Sequence, residues 1–140
     1  MSFTVKAITT DANTAKADAL ETEIKLHAGV IHHVEVMFPS MCSGLCHVQI
    51  LQAGRQVYPF DPLDSFSSDG ETISFNDYYK LEPGLSKLTI RTWNEDELYP
   101  HTPHVRIGVL PEWIVAPYMV LTTVSEVLTS IAARLGIKAR

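Results

Sequence analysis

Two hydrophobic rhythms run along the chain, and they change over at Pro111. Before it, apolar residues recur at every second position in short runs separated by Gly, Pro, Asn, Asp and Ser. Such runs predict β-strands with one face turned inward. They fall at residues 21–26, 30–38, 45–52, 56–58, 71–75, 86–93 and 104–110. In the longest run Val30, His32, Val34, Val36 and Phe38 share one face, and His33 and Glu35 take the other. Ala53-Gly54-Arg55 predicts a tight hairpin. Residues 59–70 carry the prolines, serines and aspartates of a surface loop. Residues 76–83, with Tyr78 and Tyr79, read as a single helical turn. Residues 1–20 are weakly patterned and are expected to form an extended arm or edge strand, with a short helix over 14–20 as the alternative.

After Pro111 the rhythm is helical from residue 112 to 135. Leu121, Val124, Leu128, Ile131 and Leu135 follow at spacings of 3, 4, 3 and 4, the a/d seam of a coiled coil. Val120 and Val127 widen that stripe on one flank. Pro111 and Pro117 are expected to break the run-in and set the helix off as an arm, and Gly136 to end it.

These elements predict a mainly β chain. Its body is an antiparallel β-sandwich, jelly-roll or Ig-like, of seven to eight strands, with a C-terminal amphipathic α-helix. The expected division is an arm or edge strand over 1–20, a sandwich over 21–111 and an assembly helix over 112–140. The predicted core is Val34, Val36, Val48, Ile50, Leu88, Ile90, Val105, Ile107 and Val109.

Composition adds little to this and removes more. A net charge of -5 argues against a nucleic-acid partner, since phosphate neutralisation needs a basic face. The N-terminus lacks the apolar stretch of a secretory signal, so synthesis in the cytoplasm is expected. Cys42 and Cys46 then read as reduced thiols rather than a disulfide or a metal site. Thr122, Ser125, Glu126, Thr129 and Ala133 line one side of the helix, and this polar stripe argues against a membrane span. Contact of the helix with a membrane surface stays open.

No motif announces chemistry. His32 and His33 are expected on opposite faces of their strand, where they cannot share an ion without a bulge. His32 is expected to have a hydrogen-bond partner. There is no nucleophile elbow, and the acids at Asn94-Glu95-Asp96-Glu97 read as solvated charge. No catalytic residue and no cofactor is predicted. Tyr58, Phe60, Phe66, Phe75, Tyr78, Tyr79, Trp93 and Tyr99 gather mid-chain, as core or as rings of a sugar-binding face.

Three stretches carry a resemblance: GVIHHVEVMFPSMCSGLCHVQI, GRQVYPFDP and TIRTWNEDELYPHTPHVRIGVLP. Together they resemble small virion-associated β-sandwich proteins of phage and archaeal-virus-like gene neighbourhoods. The resemblance implies a structural protein of a virion or other extracellular assembly (a minor capsid, cement, spike or adaptor subunit) with other particle proteins as partners. The helical seam adds an expected homo-oligomer, with Leu121, Val124, Leu128, Ile131 and Leu135 at its interface. The alternative is a binding module for carbohydrate or another small ligand.

Overall fold

Period-two alternation gives each strand a wet face and a dry face, and two sheets bury their dry faces against each other. The computed structural model describes residues 2–136, apart from the side chains of 115–120 and 122. The strands are β1 (Ser2–Ala7), β2 (Leu20–Lys25), β3 (Gly29–Met37), β4 (Cys46–Gln52), β5 (Arg55–Tyr58), β6 (Thr72–Leu81), β7 (Lys87–Asn94) and β8 (His104–Leu110). One helix, α1 (Glu112–Arg134), follows β8. The strands form two antiparallel four-stranded sheets, ordered β1-β8-β3-β6 and β2-β7-β4-β5.

The core lies between the sheets. All nine predicted core residues are buried, and with Ile31, Phe38, Leu81 and others they form one cluster. Alternation identified them because central strands bury one whole face.

Two local readings are corrected. First, β6 runs unbroken through residues 72–81, so there is no helical turn at Tyr78 and Tyr79. As an edge strand it buries little, and Asp77 occupies an inward position, which blurs the apolar alternation. Second, the register of β3 shifts between Ile31 and His33 against both neighbours. This bulge switches parity, so Ile31 joins the core and both histidines meet the outer face. His32 stacks on Tyr78 at 6.0 Å, and its Nδ1 has no hydrogen-bond partner among the described residues. His33 bonds Asn76 through Nδ1 (2.6 Å) and Glu35 through Nε2 (3.0 Å), and Arg106 closes the network on Glu35. Those hydrogen bonds, Asn76 first, hold the His33 imidazole above its usual pKa. Of the two expectations for residues 1–20, the edge strand is the one found: β1 pairs along its length with β8 at the margin of its sheet.

β1 is inverted in character. Its register puts Phe3 and Val5 on the outer face of the sheet, beside Gly108 and Arg106. Both are about half exposed, and Phe3 meets the His33 ring edge-on at 6.3 Å.

One end of the sandwich is closed by polar groups. Thr10 pairs with His101, and Thr14 with Asn94. The buried Asn94 amide donates to the Tyr99 carbonyl (2.9 Å), and Thr10 donates to Thr92 (2.9 Å). Buried polar atoms need such partners. Asp96 binds His101 at 2.8 Å, and the Leu98 N–H, then His101, holds its carboxyl below the usual range.

Truncating Ile90 or Ile107 to Ala should cost about 2–5 kcal/mol, because each leaves a cavity in a closed core. Denaturant titration by far-UV circular dichroism measures it. An unchanged midpoint for both variants would show that they do not share a packed interior.

Candidate functional site

Helix α1 begins where β8 ends. Pro111 sits at its N-cap with extended backbone (φ -58°, ψ 142°), and its missing N–H cannot continue the ladder of β8. Gly29, at the start of β3, lies so close that a Cβ there would meet the Leu110 carbonyl oxygen at 2.4 Å. Glu112 in the first helical turn suits the positive end of the helix dipole and binds Lys80 of β6 at 3.1 Å. Pro117 does not interrupt the helix, which is continuous from Glu112 to Arg134. A proline there removes one backbone donor without ending the element. Gly136, at φ 73°, terminates it as a left-handed C′ residue.

The five seam residues lie between 48% and 70% exposed, so the helix does not fold back to bury them on the sheets. Val127 is exposed on the same flank, while the Val120 side chain lies outside the described residues, as do Lys138 and Arg140. Among the described residues no helix is long and apolar enough to cross a membrane.

The second feature is a cleft of about 770 Å³ on the side where β5 and β6 are the free sheet edges. There the inward-facing Phe75, Asp77 and Tyr79 of the edge strand β6 are only partly buried. Tyr58, Phe60, Phe66, Phe75 and Tyr79 line it, together with Arg55 and Asp77. Tyr58 donates to Asp77 Oδ2 at 2.6 Å, and Tyr79 donates to Gln52. Burial, then the Asp77 hydrogen bond, pushes the Tyr58 phenol well above its usual pKa. The 59–70 loop is stapled over the cleft. The Gln56 amide donates to the carbonyls of Pro59, Asp61 and Asp64, and Phe66 bridges to Val48. Of the aromatic residues gathered in the sequence, Tyr78, Trp93 and Tyr99 stand elsewhere.

A third arrangement was not visible in the sequence. Ser65 hydroxyl lies 2.9 Å from His47 Nδ1, and His47 Nε2 lies 3.1 Å from Glu95. The imidazole stacks on Trp93 at 4.9 Å, and Lys16 Nζ lies over the Trp93 ring, 5.3 Å from its centroid. His47 lies on β4, Trp93 on β7, Ser65 and Glu95 in two loops and Lys16 in a short 3-10 turn before β2, so no local spacing links them. The order serine, histidine, carboxylate holds the residue types of nucleophilic catalysis. None of the three lines the cleft at β5 and β6.

Cys42 and Cys46 are both buried and unbridged. Burial pushes both thiols up, Cys46 to about 12, so neither is a ready thiolate. Among the described residues no three His, Cys, Asp or Glu side chains group as a metal site.

Neither thiol should react with a disulfide reagent at mildly alkaline pH while the protein is folded, and both should react in denaturant. Rapid labelling of the native protein, read by absorbance, would show that this end of the sandwich opens. No protein-family model and no curated protein matches this chain.

Proposed function

We propose that the chain is a self-assembling structural protein, a subunit of a virion or comparable extracellular particle, with α1 as its assembly element. The carrying observation is the exposed seam of Leu121, Val124, Leu128, Ile131 and Leu135. Burying such side chains stabilises by roughly 1.5–3 kcal/mol each. Left in water, a contiguous stripe of this kind promotes uncontrolled aggregation. A matching stripe on a second copy removes it from water without any new residue.

The strand order supports the jelly-roll member of the two sandwich types. Successive strands cross from one sheet to the other, the β4–β5 hairpin excepted, and the first strand pairs with the last. Eight strands in two such sheets are the jelly-roll pattern, used by viral capsid and lectin domains. That is support by analogy of fold. The likeness of three sequence stretches to virion-associated proteins points the same way, toward a minor capsid, cement, spike or adaptor subunit.

Light scattering on the intact protein at micromolar concentration should give an oligomer. A Leu128→Glu, Ile131→Glu double variant and a chain ending at Pro111 should both run as monomers. A monomeric parent, or variants that keep the parent's mass, would remove α1 as the assembly element.

A second reading, a carbohydrate- or small-ligand-binding module, is favoured by the aromatic cleft, whose volume falls in the range of small-molecule sites. Calorimetric titration with mono- and oligosaccharides tests it. Saturable binding lost in Asp77→Ala and Tyr79→Ala would support it, and no heat from any saccharide would sink it.

A further inference from the structure

The residues of the seam do more than repeat. With spacings of 3 and 4, Leu121, Leu128 and Leu135 occupy the a positions of the heptad, and Val124 and Ile131 the d positions. Leucine therefore fills every a layer and a β-branched residue every d layer. Two-stranded parallel coils favour the reverse, β-branched at a and leucine at d. Leucine at a with isoleucine at d shifts the preference to three or four strands.

The flanks agree. The e positions are Ser125 and Ala132, and the g positions are Val127 and Arg134. In a dimer these flanks stay wet and commonly carry paired charges. Here three of the four are small or apolar, and Val127 is about half exposed. At about 100° per residue, the apolar positions from Val127 round to Ala132 sweep an arc of roughly 140°, wider than an a/d stripe. A single partner helix covers only the a/d stripe. Two neighbours, one on each side, cover the whole arc. Glu126 lies at an f position, on the outside of any such bundle.

The length of the seam adds a constraint. It spans only residues 121–135, because Pro117 occupies the d position before it and Gly136 ends the helix. So short a seam buries little in a dimer, and each helix buries more when it has two neighbours.

We infer that α1 is built to associate with further copies of this chain in a parallel bundle of three or four helices rather than as a dimer. The inference rests on the assembly reading above and goes beyond it in naming the direction and the order. Identical chains around one rotation axis keep their helices parallel, with the bodies at one end.

Native mass spectrometry and light scattering of the full-length protein test the order. The expected mass is three or four times the 15.6 kDa protomer. A dimer would overturn this inference and leave self-assembly standing, whereas a monomer would overturn both. A second variant exchanges the layers: Leu121→Ile, Leu128→Ile and Leu135→Ile with Val124→Leu and Ile131→Leu. Its mass should fall to two copies, and retention of the parent's mass would show that the layer residues do not set the order. Direction is read from Leu135→Cys under mild oxidation. Parallel helices bring these thiols together and give cross-linked pairs on a non-reducing gel, while the buried Cys42 and Cys46 leave the parent uncross-linked. Absence of pairs from an oligomeric variant would overturn the parallel arrangement.

Discussion

Everything in this molecule depends on two facing columns of aliphatic side chains. One rises from β3 and β8, where Val34 lies opposite Ile107 and Val36 opposite Val105. The other rises from β4 and β7, where Ile50 lies opposite Ile90. These strands sit at the centres of their sheets, so a slip of one residue in either pair would turn a whole column toward water. The register is thus fixed by burial. The bulge at His32 is tolerated because the shift falls near the start of β3 and still delivers Ile31 to the interior.

Central strands were legible in the sequence for the same reason. Val48, Ile50, Leu88, Ile90, Val105 and Ile107 alternate cleanly because one face of each strand is dry. Edges were not. β6 hides its continuity because Asp77 and Tyr79 face a cleft that is neither core nor surface. β1 shows its apolar residues on the outer face, against the pattern that alternation assumes. The helix and its seam could be read directly, since a 3-4 repeat needs no tertiary information. The Ser65, His47 and Glu95 line could not, because only the packing of loops against β4 brings those positions together.

The core and the exposed helical stripe are separate surfaces. None of the five seam side chains joins the core cluster, and among the described residues that cluster contains none from the helix. A change in the seam therefore leaves the body's own packing intact. Among the described residues the link between the two includes Leu110, Pro111 and the Glu112 contact to Lys80. It couples the helix to the edge strand β6 through one exposed ion pair, an interaction worth little by itself. The covalent junction with β8 and the close approach at Gly29 do more to position the helix base.

The pairing of β1 with β8 also sets a sequence of events during synthesis. Ser2 opposite Val109 joins the two ends of the body, and β1 is an edge strand with no other strand beside it. Contacts this distant along the chain close slowly, because the entropy of the loop is lost before the contact is gained. A nascent chain therefore carries β1 unpaired until almost the whole body has emerged. The apolar helix leaves the ribosome later still. The body can complete its own hydrogen-bonded sheets before the exposed apolar stripe of α1 is available, and this order keeps that stripe away from half-made sheets.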